Sequence, residues 1–143
     1  KSSNLEAMQQ VIKMQYYITA CSNDAMQYAV LEALEKASDY PDILAKEFQA
    51  RCNLIVDRLN AMPGVECHRP KGSIYVFPRI TVPGLNSQEL AMELLKDGVL
   101  CSPGTAFGPS GEGHLRFAFT ISQEDISQGM DKVETTLNRL NNR

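Results

Sequence analysis

The apolar pattern of the chain changes period at Pro63-Gly64, and that change decides the class of fold open to it. Before the break, apolar residues recur at helical spacing. After it, short β-rich runs alternate with turns and further helices. Leu5, Met8, Val11, Ile12 and Tyr16 give a first helix one apolar face. Ser22 suits the N-cap of a second, in which Ala25, Met26, Tyr28, Ala29, Val30, Leu31, Ala33 and Leu34 are apolar nearly all round. That is the pattern of a helix buried on more than one side, and it asks for more cover than a small domain supplies. A third helix starts near Pro41, where proline suits the first turn, and carries Leu44, Phe48, Cys52, Ile55 and Leu59 on one face.

Beyond the break, Val65 to His68 is a short extended run. The turn Arg69-Pro70-Lys71-Gly72 leads into Ser73 to Phe77, which is rich in β-formers, and Pro78 is expected to end that ladder because it has no N–H to donate. Ser87 is a candidate cap for a helix that buries Leu90, Leu94 and Leu95 and stops at Gly98. Val99 to Ser102 is a further strand, and His114 to Thr120 another. The last helix takes Ser122 as its cap, with Asp125 three residues on, and Ile126, Met130, Val133, Leu137 and Leu140 as its stripe. The expected class is α+β: a small, mostly antiparallel or mixed sheet of about four strands with helices packed on one face, preceded by long helices.

A chain of 143 residues suits one core, burying roughly two-thirds of its unfolded surface. A formal charge of −3 gives no basic field for nucleic acid. No apolar run is long enough to cross a bilayer and no leader precedes the first helix, so a cytoplasmic location is expected. Cys21, Cys52, Cys67 and Cys101 are widely spaced, form no C-x-x-C pair and read as reduced core thiols. The adjacent Cys67-His68 pair cannot supply the converging ligands that zinc requires, and no metal is expected. The first residue is Lys1 and not methionine, which suggests a piece of something longer.

Arg116 stands out among the charged residues. Alternation along its strand puts Leu115, Phe117 and Phe119 on one face and Arg116, Ala118 and Thr120 on the other, so the guanidinium has small neighbours. A planar fork of donors on a rigid strand fits a carboxylate or phosphate, although an ion pair with an acidic residue of a neighbouring helix fits the same pattern. The glycine-rich stretch Pro103 to Gly113 before it is no phosphate loop. It leads into a strand and not into a helix N-terminus, and it lacks Gly-Lys-Ser/Thr. It reads as a connection bringing a strand end to the edge of a cleft, with Phe107 as an apolar plug. His68 and His114 are the only histidines, no serine lies in a Gly-x-Ser-x-Gly elbow, and the carboxylates fall mostly on solvated helix positions.

Three stretches carry a family resemblance. They are Pro70-Lys71-Gly72-Ser73-Ile74-Tyr75-Val76-Phe77-Pro78, Gly98-Val99-Leu100-Cys101-Ser102-Pro103-Gly104-Thr105-Ala106-Phe107-Gly108, and His114-Leu115-Arg116-Phe117-Ala118-Phe119. In order and spacing the chain resembles the C-terminal portion of a class I/II aminotransferase, of pyridoxal phosphate fold type I in the aspartate aminotransferase superfamily. The resemblance implies that residues 1–38 are helices from the end of the large domain and the interdomain segment, and that 39–143 form the small C-terminal domain. It implies that Arg116 binds the substrate α-carboxylate. Tyr75, Phe77 and Phe107 are candidates for lining the cleft, with core packing expected for at least two of them.

The resemblance further implies an intact enzyme that moves an amino group from an amino acid to a 2-oxo acid, uses pyridoxal phosphate and is a homodimer. The lysine that forms the Schiff base is expected upstream of Lys1, so this chain would hold no catalytic or cofactor-binding residue and be inactive alone. Lys1, Lys13, Lys36, Lys46, Lys71, Lys96 and Lys132 all lack the local pattern of that lysine. Two other readings stay open: the effector-binding domain of an aminotransferase-like transcriptional regulator, and a non-catalytic anion-binding or interaction module.

Overall fold

The structure is a computed structural model that describes residues 4–142. Lys1 lies outside the described residues. The chain divides into two compact units, Lys1–Asp42 and Ile43–Arg143.

The first unit holds α1 (Leu5–Thr19) and α2 (Asp24–Lys36), and α3 (Tyr40–Asn60) begins at its end. Asn4 caps α1, its carboxamide oxygen accepting from the Ala7 amide at 3.0 Å. Asn23, and not Ser22, caps α2 by accepting from Met26. A carboxamide and a hydroxyl are equivalent acceptors there, so the sequence could not choose between adjacent candidates. No residue of either helix is buried, so the cover that the all-round apolar pattern of α2 asks for does not come from the described residues. Two short helices lack the surface to enclose one that is apolar on all sides, and Tyr28 and Leu34 remain 72% and 75% exposed.

The second unit has a core of its own. α3 turns Cys52, Ile55, Val56 and Leu59 inward, with Phe48 half-buried, while Leu44 stays exposed. α5 (Gln123–Asn141) buries its predicted stripe entirely and adds Thr136. Its cap is Ser122, whose hydroxyl accepts from the Asp125 amide at 3.0 Å. α4 (Ser87–Lys96) starts one residue earlier than expected: Asn86 is its cap, accepting from Gln88 and Glu89 while the Glu89 carboxylate accepts from the Asn86 amide. Leu90, Ala91 and Leu94 face the core and Leu95 does not.

The strands are short and antiparallel: β1 (Val65–Glu66), β2 (Tyr75–Val76), β3 (Arg79–Ile80), β4 (Ser102–Pro103) and β5 (Leu115–Ala118). β5 is central, between β2 and β4, and β1 pairs with β3. Pro78 does not end the ladder as expected. Its carbonyl accepts from the Leu115 amide at 3.1 Å, Arg79 bridges His114, and Ile80 donates to Gly113 at 2.8 Å. A proline withholds only its own donor, so one bond is lost and the pairing runs on. The outcome is an α+β domain with Leu115, Phe117 and Phe119 buried under α3 and α5 and the opposite face of β5 uncovered. Cys52 and Cys67 are buried and Cys101 half-buried, whereas Cys21 is exposed and no core thiol. Burial pushes the Cys67 and Cys101 thiols up to about 11.

Candidate functional site

Arg116 projects from the uncovered face of β5, opposite Ser102 of β4. Two aromatic rings meet it there. Its guanidinium carbon lies over the Tyr75 ring at 4.3 Å from the centroid and over the Phe107 ring at 4.4 Å. Tyr75 is placed by the β2–β5 register, in which it faces Ala118. Phe107 is placed by the glycine-rich stretch. The structure therefore brings together the three residues that the sequence singled out, Arg116, Tyr75 and Phe107.

Among the described residues no carboxylate reaches ion-pair distance of Arg116, and its hydrogen bond is a 3.4 Å contact from Nη2 to the Ser102 hydroxyl. A guanidinium carries five N–H donors in a fixed fork, so most of this one's capacity is open to an outside acceptor. The rings add attraction to the cation and limit its rotation without using any N–H edge. Chemically the arrangement can grip a planar anion.

The aromatic wall is larger than the sequence indicated. Phe77 stands edge-on to Phe107, with centroids 6.0 Å apart, and stacks on His114 at 5.1 Å with 9° between the planes. Tyr75, Phe77 and Phe107 are 38%, 41% and 53% exposed, which overturns the core packing expected for at least two of them. Tyr75 and Phe77 share the period-2 face of Arg116, Phe107 joins them from its 3-10 turn, and the core lies on the other side. The participation of Ser102 and His114 was not foreseen. Alternation fixes the face of a side chain but not its cross-strand neighbour, which depends on register.

The segment that carries Phe107 is not a plain loop. Gly104–Phe107 and Pro109–Gly111 each form a 3-10 turn, and the two turns press together at glycine. A Cβ on Gly104 would lie 2.0 Å from the Gly111 carbonyl oxygen, and one on Gly111 equally close to that of Gly104. No side chain fits at either position. The Glu112 carboxylate then ties the segment to α4, accepting from the Ser87 amide at 2.7 Å, the Ser87 hydroxyl at 3.1 Å and the Gly113 amide at 3.0 Å. These donors, the Ser87 and Gly113 amides foremost, hold the Glu112 carboxyl below its ordinary range.

The lysines do not converge on the site. Lys13, Lys36, Lys46, Lys71, Lys96 and Lys132 are all exposed, with Lys36 on Glu32 at 2.6 Å and Lys96 on Glu93 at 2.5 Å. A lysine that condenses with a carbonyl cofactor needs a desolvated or cation-flanked amine to lower its pKa. The described residues therefore do not fit a pyridoxal phosphate site. Nor do they include a cluster of ligands suited to a metal, or a helix long and apolar enough to cross a membrane.

No protein-family model matches the chain. It is 35% identical over 133 residues to aromatic-amino-acid aminotransferase 2 of Thermococcus litoralis, covering 91% of this chain and 34% of that protein. It is 33% identical over 135 residues to an aspartate aminotransferase of Pyrococcus horikoshii, covering 92% and 34%. Among solved structures, an alanine aminotransferase from Pyrococcus furiosus superposes with a TM-score of 0.85 at 30% identity, over 96% of this chain and 36% of that one. The chain spans about a third of the length of the curated relatives it matches, and the match falls on their C-terminal part.

Proposed function

We propose, from the premise that the chain corresponds to the C-terminal domain of the class I aminotransferases, that it supplies the α-carboxylate site of an enzyme moving an amino group from an amino acid to a 2-oxo acid. The observation that carries this reading is the open fork of Arg116, half-buried against Tyr75 and Phe107 with no carboxylate of its own among the described residues. A substrate carboxylate takes two in-plane N–H donors at once, which fixes its orientation as well as its position. Tyr75 and Phe107 line that cleft.

Residues 1–38 then belong to the end of the large domain and the interdomain segment, and 39–143 to the small domain. Pyridoxal phosphate supplies the amino-transfer chemistry of the longer protein, and its lysine and phosphate ligands come from sequence outside this chain. What Arg116 adds is orientation: a substrate clamped by its carboxylate presents the same face to the reacting groups at each encounter, which lowers the entropic part of the barrier. The complete enzyme is a cytoplasmic homodimer in this reading, and the chain alone is inactive.

The test is a titration of the chain with a 2-oxo acid, followed at the Arg116 Nε–H resonance by NMR. The resonance moves with the free acid and stays in place with its methyl ester. An equal response to both removes the carboxylate site.

A further inference from the structure

We propose that Glu112 is a positioning residue, a latch that holds the Gly104–Gly111 turns against α4 and thereby keeps the Phe107 ring on the Arg116 guanidinium. The inference rests on the reading of Arg116 as the carboxylate site and adds to it the device that sets the guanidinium's surroundings.

Three observations support it. First, α4 does not need Glu112 to be capped. Asn86 already accepts from Gln88 and Glu89, and Glu89 returns the bond to Asn86 in a complete capping box. Ser87 supplies the amide that Glu112 takes at 2.7 Å, so the carboxylate adds an attachment to a helix end already in order. Second, the attachment is to a fixed point. Ser87 is 3% exposed, and its hydroxyl meets both the Glu112 carboxylate at 3.1 Å and the Thr105 hydroxyl at 3.4 Å. Both ends of the turn segment thus close on one buried serine. Third, the segment between those ends transmits position. Gly104 donates to His114 at 2.8 Å, Gly111 donates to Gly108 at 3.0 Å, and Gly104 and Gly111 are in contact through their backbones. Phe107 closes the first of these turns, so a shift of the Glu112 end carries it away from Arg116.

The test uses ring-current shifts on the Arg116 side chain, read by NMR in the chain without any ligand. The Phe107 contribution is defined by Phe107→Leu and the Tyr75 contribution by Tyr75→Leu. In Glu112→Ala the Arg116 Hδ and Hε resonances move in the direction set by Phe107→Leu and to a comparable extent, while the Tyr75 contribution persists. Glu112→Gln keeps an acceptor without the charge and gives a smaller shift of the same sign. If Glu112→Ala unfolds, the Gln variant carries the test. Arg116 resonances that stay in place in the folded variant, with only the melting temperature lowered, overturn the latch. Since no ligand is present, a chain that ignores 2-oxo acids refutes the carboxylate reading alone, and unmoved ring-current shifts refute the latch alone.

Discussion

Gly104 and Gly111 pack backbone to backbone, so closely that a Cβ on either would stand 2.0 Å from the other's carbonyl oxygen. Both opposing atoms are backbone, so no rotamer change relieves the clash. Gly111→Ala is expected to destabilise the domain by about 3 kcal/mol and to disturb Phe107. Chemical denaturation checks the first, and a control at Gly129, where a Cβ meets nothing within 4 Å, should show no such loss.

The Arg116 fork leads to a kinetic expectation. If the proposed function holds, Arg116→Lys in the longer enzyme is expected to lower kcat/KM by about 100-fold, roughly 2.7 kcal/mol, because one ammonium cannot hold a carboxylate through two parallel N–H bonds. Steady-state kinetics with amino acid and 2-oxo acid pairs check this. A loss confined to KM would mean uniform binding and no orientation.

How far the site was legible follows from what each kind of residue depends on. Arg116 was readable because alternation alone assigns its face, and Leu115, Phe117 and Phe119 fell into the core as the same alternation requires. The α5 stripe was readable for the analogous reason at period 3.6. What escaped depends on contacts between distant residues. Ser87 looked like a cap and is instead the buried anchor of Glu112, 25 residues away. Tyr75, Phe77 and Phe107 are cleft candidates by sequence, with core packing expected for at least two of them, but register turns Tyr75 to the open face beside the cation, and the 3-10 turn sets Phe107 over the cation and edge-on to Phe77. Arg51, on α3, donates to the carbonyl of Thr120 at 2.9 Å and ties down the backbone just beyond β5, a link that no local pattern announces.

Ser73 holds φ at +74°, the left-handed region that side chains disfavour. Ser73→Gly removes that strain while giving the unfolded chain more freedom, and the net expectation is stabilisation by about 0.5–1 kcal/mol. Thermal unfolding checks the sign. A destabilised variant would mean that the serine side chain contributes more than the backbone strain costs.

Acid should weaken the domain through two carboxyls held below their ordinary range. Asp97 accepts from the Thr136 hydroxyl at 2.6 Å and from Arg139 at 2.5 Å, and these bonds depress it, Thr136 first. Glu112 is depressed by its amide donors. A carboxyl whose folded pKa lies below its unfolded value contributes stability above the unfolded value and loses it as pH falls through the folded one. The loss therefore begins at about pH 5, where free carboxyls start to protonate, and continues as pH falls through the lowered folded values. Asp97→Asn and Glu112→Gln should each flatten that limb and leave the slope near neutrality unchanged, as denaturation midpoints measured against pH would show.

The last expectation concerns α1 and α2, in which no residue is buried while Leu5, Tyr17, Ile18 and Leu34 are each about three-quarters exposed. Isolated helices of 15 and 13 residues are marginal in water without a packed face, and apolar surface on this scale favours association. In the chain alone, amides of α1 and α2 should therefore exchange with solvent orders of magnitude faster than those of α5, whose stripe is buried. Sedimentation should show concentration-dependent self-association, which Leu5→Gln together with Ile18→Gln reduces without moving the unfolding midpoint of the second unit. In a protein as long as its relatives the same amides should be protected, because about two-thirds of those relatives' length lies outside the matched part. Equal protection of α1 and α5 in a monodisperse short chain would show that these helices are stable as they stand.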